Sequence, residues 1–271
     1  MLQVHTLFSG SSGNSIYVKG DDAEFLIDAG RSCGAIERAL NQHSTSLSNI
    51  SAIFITHEHS DHTQGLEIIS KKYGVPIYMT TPSYREIVKI GTYTEKYTTP
   101  TQVLFEKSLG SVNISSFSVP HDSKQNVGYI ISSGNERFGI ATDIGHLTDE
   151  IATRLCDCQR VIVESNHDVQ MVKDGPYPTF LKERILSGTG HLSNETCSKF
   201  LCYLADKGVS EFTLAHLSRE NNTPLKAFTQ SKEALCACGF DNVCLKVAFA
   251  DISVCATDNM SYPYPILKET K

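Results

Sequence analysis

Hydrophobic positions along the chain come first in short β-type runs, QVHTLF, SIYVKG and EFLIDAG, set apart by the Gly/Ser turn SGSSGN and by GDD. Runs of this length between turn residues predict a meander of strands. The spacing then lengthens to a helical repeat at GAIERALNQ, GLEIISKKY and PSYREIVKI, alternating with apolar strands at SAIFIT and VPIYMT. A second β-rich stretch follows, with VNISSFSV, VGYIISS and RFGIATD. After it, helices at DEIATRLCD, FLKERILSG and ETCSKFLCYLADKG alternate with strands VIVES and EFTLAH. A helix at PLKAFTQSKEALCACG and a strand at NVCLKVAF close the pattern. Two successive halves, each strand-rich first and helix-bearing later, predict two sheets packed together with helices outside.

Composition narrows this picture. At 271 residues and 40% hydrophobic, the chain can bury a sizeable core, and no composition shift or repeat divides it, so residues 1–271 are expected to form one domain. The opening MLQVHTLFSG has no basic and apolar leader, and no apolar stretch approaches a membrane span, so a cytoplasmic location is expected. Nine cysteines, odd in number and without a CxxC pair, read as reduced thiols; Cys156/Cys158 and Cys236/Cys238 follow helical patterns and are assigned to packing. The net charge of −6 supplies no general attraction for a polyanion, which would need a local basic patch or a metal.

The densest chemistry lies in HEHSDH, where His57, His59, Asp61 and His62 follow an apolar strand. In an extended loop His57 and His59 point to one side, while Asp61 and His62 reach the other once the chain turns toward the GLEIISKKY helix. Further ligand candidates each follow a β-type run: His121 in SVPHDS, Asp143 in IATDIG and His216 in LAHLS. His57, His59 and His121 can hold one ion, and Asp61, His62 and His216 a second, with Asp143 bridging. Imidazole and carboxylate without thiolate fit two divalent ions, whether Zn, Mn or Fe. Such ions lower the pKa of a bound water from about 15.7 toward 7, so the set is suited to hydrolysis.

HEHSDH resembles the HxHxDH signature of the metallo-β-lactamase fold superfamily, and His121, Asp143 and His216 match its later ligand motifs in order. The resemblance implies a four-layer αββα sandwich, an α/β (α+β) fold, with a metal-bridging hydroxide as nucleophile. The stretches LFSGSSGNS, ESNHD, YPTFLKERILSGTGHLSN and AHLSRENNTP resemble the YycJ/WalJ branch. That likeness implies a metal-dependent phosphodiesterase, a 5′ to 3′ DNA exonuclease acting on strand ends. The alternative is a small-molecule hydrolase, a lactonase, thioesterase or cyclic phosphodiesterase, on the same metals. The stretch between Asp143 and His216 is too short for an inserted clamp domain, which favours a compact enzyme.

Around these ligands, Ser193, Asn194, Arg219 and Asn221 are candidates for phosphate contact, Ser193 having a plain helix cap as its other reading. His191, in GTGHLSN, is a candidate general acid, and Asp61 is assigned to catalysis as well as to the metal. Glu58 is read as bracing its loop, and His167 is a further active-site candidate. His5, His43 and His146 are read as structural or exposed. The SGSSGN turn lacks the lysine of a phosphate loop and is read as a support for the metal loop.

Overall fold

The three opening runs form an antiparallel meander, β1 (Gln3–Phe8), β2 (Ser15–Lys19) and β3 (Glu24–Ile27). The computed structural model describes residues 1–89 and 91–258. Ile90, the last residue of the predicted PSYREIVKI helix, and residues 259–271 of the expected domain lie outside the described residues. The first half continues through α1 (Cys33–Asn41), β4 (Ala52–Phe54), α2 (Ser60–Thr63), α3 (Leu66–Tyr73), β5 (Ile77–Thr80), α4 (Thr81–Ile87), α5 (Thr92–Tyr97) and β6 (Thr98–Thr101). The second opens on an antiparallel set, β7 (Glu106–Leu109), β8 (Val112–Val119), β9 (Asn126–Ser133) and β10 (Glu136–Ala141). It then runs through α6 (Asp149–Cys156), β11 (Arg160–Glu164), α7 (Val169–Asp174), α8 (Thr179–Leu186), α9 (Asn194–Asp206), β12 (Glu211–Ala215), α10 (Pro224–Ala237), β13 (Cys244–Val247) and β14 (Val254–Cys255).

The strands make two mixed sheets of seven, ordered β14-β1-β2-β3-β4-β5-β6 and β13-β12-β11-β10-β9-β8-β7. Phe25, Phe54, Ile114, Tyr129, Phe138 and Ile162 fill the space between them. On the outer face of the first sheet, Ile36 and Leu40 of α1 and Leu66 and Ile69 of α3 cover Leu26, Ile53 and Ile77. Ile151 of α6, Leu201 of α9 and Leu235 of α10 likewise cover Phe117, Val163 and Leu214 on the second. The result is four layers, helix, sheet, sheet, helix. Each fully buried large apolar side chain contributes roughly 2 kcal/mol relative to exposure.

Helix ends follow local chemistry. Ser32 caps α1 by accepting from the Ala35 amide, Thr148 caps α6 through Ile151, and Gly74 stops α3 in a left-handed turn at φ 63°. The functional consequence lies in strand direction. Strands β3 to β6 run parallel, as do β10 to β13. The C-terminal ends of β3, β4, β10, β11 and β12 therefore open toward loops at one edge of the sandwich, where open sheets place their chemistry. Tyr129 of β9 locks the two sheets together beneath that edge, its hydroxyl donating to the Ile55 carbonyl at 2.7 Å.

Candidate metal centre

The metal loop is held from both sides. At its start, the Thr56 amide donates to Asp28 Oδ1 at 2.9 Å. At its turn, the Asn14 amide donates to the Asp61 carbonyl at 2.7 Å, and Gly30 passes so close that an added Cβ would stand 1.6 Å from that oxygen. Only glycine fits at position 30. The single turn of α2 between these ties buries His62, whose ring centroid lies 4.2 Å from that of His57.

Four groups of ligand atoms lie within 4.8 Å of one another: His57, His59, His121; Asp61, His62, His216; His57, His62, Asp143; and Asp143, Glu164, His191, His216. Asp143 joins both sides, with Oδ2 at 3.4 Å from His62 Nε2 and Oδ1 at 3.8 Å from His121 Nε2. The histidine orientations are shared. His62 Nδ1 bonds Asp28 Oδ2 at 2.7 Å, His216 Nδ1 bonds Glu164 Oε1 at 2.8 Å, and His121 Nδ1 bonds the Gly190 carbonyl at 3.1 Å. Anchoring Nδ1 in this way leaves Nε2 free to bind a cation, the arrangement that outer partners impose on metal-bound imidazole. His57 Nε2, His216 Nε2 and Asp143 Oδ2 are all buried without a hydrogen-bond partner. Orphaned acceptors of this kind are costly unless something electropositive meets them, so the donor set fits divalent cations.

Electrostatics agree. Desolvation, helped by His62 and His59, pushes His57 well below the usual imidazole range, and desolvation also lowers His121. Against the same desolvation, Asp28 and Asp143 raise His62 well above that range, and Asp143 with Asp61 and Glu164 raises His216 to about 10. Desolvation opposes ionisation of Asp61 as well, yet the imidazoles of His216 and His62, 3.7 and 3.5 Å from its Oδ2, hold its carboxyl far below the carboxylate range. Protons on His62 and His216 thus measure the positive charge that Asp28, Asp61, Asp143 and Glu164 demand. A divalent cation held by these residues would supply that charge in place of the protons.

With the geometry in place, a beta-lactamase superfamily domain matches residues 23–216, from just before β3 to the last candidate ligand. The chain belongs to the beta-lactamase superfamily. It is 33% identical over 225 residues to exodeoxyribonuclease YycJ of Bacillus anthracis, covering 82% of this chain and 84% of that one. Identity to exodeoxyribonuclease WalJ of Streptococcus pneumoniae (strain D39) is 34% over 220 residues, covering 80% and 81%. The metallo-beta-lactamase fold protein YhfI from Bacillus subtilis superposes with a TM-score of 0.69 at 14% identity, over 94% of this chain and 99% of that one. The expected αββα fold and YycJ/WalJ-like membership are therefore established, and with them a superfamily of metal-dependent hydrolases.

Two carboxylates central to this superfamily member's site escape the sequence pattern. Asp28, at the end of β3, bonds His62 and Thr56; Glu164, at the end of β11, bonds both His216 and His191 through Oε1 and accepts the Ile144 and Leu192 amides at 2.8 Å through Oε2. Their signal is a carboxylate closing an apolar run, in EFLID and VIVE. Asp28, Asp143 and His216 adopt left-handed backbone at φ 63°, 57° and 55°, a conformation held by the surrounding structure and costing roughly 1–3 kcal/mol each.

The other candidates divide. His191 faces the cluster, its Nδ1 2.9 Å from Glu164 Oε1, its ring 5.1 Å from His121 and 5.2 Å from His216. Ser193 caps α9, its Oγ accepting from the Thr196 amide at 3.2 Å, so the plain-cap reading describes it. Asn194 is 1% exposed, with its amide committed to Ser165 and Asn222, and Asn221 is also 1% exposed. Neither side chain is presented at the surface, and Asn221 Oδ1 and Nδ2 are buried without a hydrogen-bond partner. Arg219 is exposed at the surface and paired with Asp251 at 3.1 Å. Glu58 braces its loop, accepting from Ser83 Oγ at 2.8 Å and the Lys124 amide at 2.6 Å. His167 is buried and lowered to about 4 by desolvation, hence neutral, and its Nδ1 has no partner. His146 bonds the Gly188 carbonyl, and the rings of His5 and His43 meet at a tilt of 46° with centroids 4.2 Å apart.

Proposed function

We propose that the chain is a nuclease that hydrolyses phosphodiester bonds at DNA ends with two divalent cations. The observation that carries this reading is the pair of inward-facing ligand sets, His57/His59/His121 and Asp61/His62/His216, joined by Asp143 and faced by His191. Kinship at 33–34% identity to proteins named exodeoxyribonucleases supports the substrate class. Bound at these residues, divalent cations lower the pKa of water toward 7 and offset the charge gathering on a phosphate.

The remaining work falls to side chains. Asp28 and Glu164 fix the tautomers of His62 and His216 through Nδ1, so that Nε2 stays available. Glu164, held below the carboxylate range against desolvation by His191 and His216, keeps its negative charge. That charge raises His191 above its usual pKa against desolvation, and its Nδ1–H donates to Glu164 Oε1. With Nδ1 held by Glu164, Nε2 is the ring atom from which a proton passes to the leaving oxygen. At 23% exposed, His191 can be reprotonated from solvent.

The test is time-resolved digestion of 5′-labelled and 3′-labelled single- and double-stranded DNA and RNA with Mn or Zn, beside Asp61→Ala. Release of short 5′ products by the wild type alone, with the variant at least about a thousandfold slower, supports the reading and its 5′ to 3′ direction. Turnover of a small chromogenic lactone or phosphodiester with no polynucleotide cut would replace it by the small-molecule reading.

A further inference from the structure

A cavity of about 360 Å³ opens beside Asp61, between the SGSSGN turn, α2 and α5. Its lining combines the side chains of Ser11, Ser12, Thr63 and Gln64 with apolar Leu66 and Ile87. The walls are fixed before any ligand arrives. The Asn14 amide ties the turn to the Asp61 carbonyl at 2.7 Å, and the Gly30 amide donates to the Asn14 carbonyl at 2.8 Å. On the other side, Glu67 accepts from the Thr94 amide and hydroxyl at 2.8 and 2.9 Å and so pins α5 against α3. Gly91, just ahead of α5, leaves room for that carboxylate, which an added Cβ would meet at 2.1 Å.

The chemistry of the lining selects its occupant. Asp61 and Glu67 contribute carboxylates, and no lysine or arginine is among the lining residues. Away from the ligand set, a phosphate there would meet the Glu67 carboxylate with no lysine or arginine to offset it. An uncharged group with both polar edges and an apolar face fits the serine, threonine, glutamine, leucine and isoleucine lining better. Gln64 is exposed and offers both an amide donor and a carbonyl acceptor, and Ser12 Oγ is buried without a partner. The volume lies within the 300–1,000 Å³ range typical of small-molecule sites.

We propose that this cavity is a nucleoside subsite, receiving the base and sugar of the residue next to the scissile phosphate. The proposal rests on the nuclease reading, because Asp61 belongs at once to the cavity and to the ligand set. Holding one unpaired nucleoside beside the metals demands a free or frayed end, which gives the site a physical reason to act on ends.

Two measurements test it on the full-length, zinc-loaded protein. Saturation-transfer NMR should detect deoxyadenosine binding that inorganic phosphate does not displace. Gln64→Leu should weaken that binding at least fivefold, and Ser11→Tyr, a substitution at an exposed rim position, should occlude it. In digestion, an oligonucleotide with an abasic terminal residue should be cut with at least tenfold lower kcat/KM than its intact counterpart, and the ratio should collapse toward one in both variants. No deoxyadenosine binding, or equal binding in the two folded variants, overturns the proposal. Cutting by the wild type with no preference for the base overturns it and leaves the nuclease reading standing. Nucleoside binding by a chain that cuts no polynucleotide keeps the subsite and removes the nuclease reading.

Discussion

Asp28 makes no contact that a ligand would see, yet its carboxylate decides which nitrogen of His62 carries the proton. Through Oδ2 it accepts from Nδ1 and from the Thr56 hydroxyl, in a site where desolvation holds Asp28 itself above its usual pKa. Asp28→Asn keeps the shape and removes the charge, so His62 loses the pull that fixes its tautomer. Zinc affinity, measured by titration calorimetry, should fall about 10- to 100-fold while the fold persists. Unchanged affinity would show that His62 is oriented by packing alone. His191 allows a sharper separation, because a proton donor matters only where the leaving group needs one. His191→Ala should slow DNA hydrolysis by about 10²- to 10⁴-fold. Its effect on a bis-p-nitrophenyl phosphodiester, whose phenolate leaves unaided, should be far smaller. Equal losses on both substrates would make His191 a structural residue. The HEHSDH ligands are legible in the sequence because four candidate ligands crowd into six positions; Asp28 and Glu164 are not, since a lone carboxylate after a strand looks like any solvated acid until folding buries it. The reverse holds for Asn194 and Asn221, polar residues beside motifs that the fold turns inward.

At the level of elements, strands with apolar runs are legible almost to the residue, as in VNISSFSV and β8. Those without them are not. TTPT and EKSL form the edge strands β6 and β7, where Pro100 is tolerated at the sheet margin and partners on one side supply the hydrogen bonds. The turn α2 hides within the ligand motif because its residues are chosen for coordination. The predicted FLKERILSG helix does form, as α8, but it buries none of its residues. Arg184 on it pairs with Asp122, and the segment that follows it bonds His121 through the Gly190 carbonyl. Phe180 on this helix is 71% exposed, and burial in the fold gives no account of it. On the nuclease reading proposed above, this solvent-facing aromatic suits stacking on a single-stranded base, worth about 1–3 kcal/mol. Phe180→Ala should therefore raise KM for single-stranded DNA by about five- to tenfold with kcat nearly constant. A fall in kcat at unchanged KM would instead assign α8 to the geometry of His121.

For the molecule as a whole, charge sets how a polyanion can approach. The chain carries −6 overall, so its long-range field repels DNA, and attraction must come from the few cations near the site and from the metals themselves. Several of those cations are already engaged: Arg219 with Asp251, and Arg184 with Asp122. Each phosphate neutralised by a protein cation contributes about −0.7 to the slope of log affinity against log salt for a single strand. With one or two such contacts available, the slope for single-stranded DNA should be no steeper than about −1.5, measured as KM in the range of about 50 to 200 mM salt. A basic nuclease gripping six phosphates would give a slope near −4 by the same relation. A steep slope here would mean that an electropositive track outside the described cluster grips the strand. A shallow one fits an enzyme whose grip is concentrated on one terminal nucleotide, the phosphate at the ligand cluster and its nucleoside in the cavity beside Asp61.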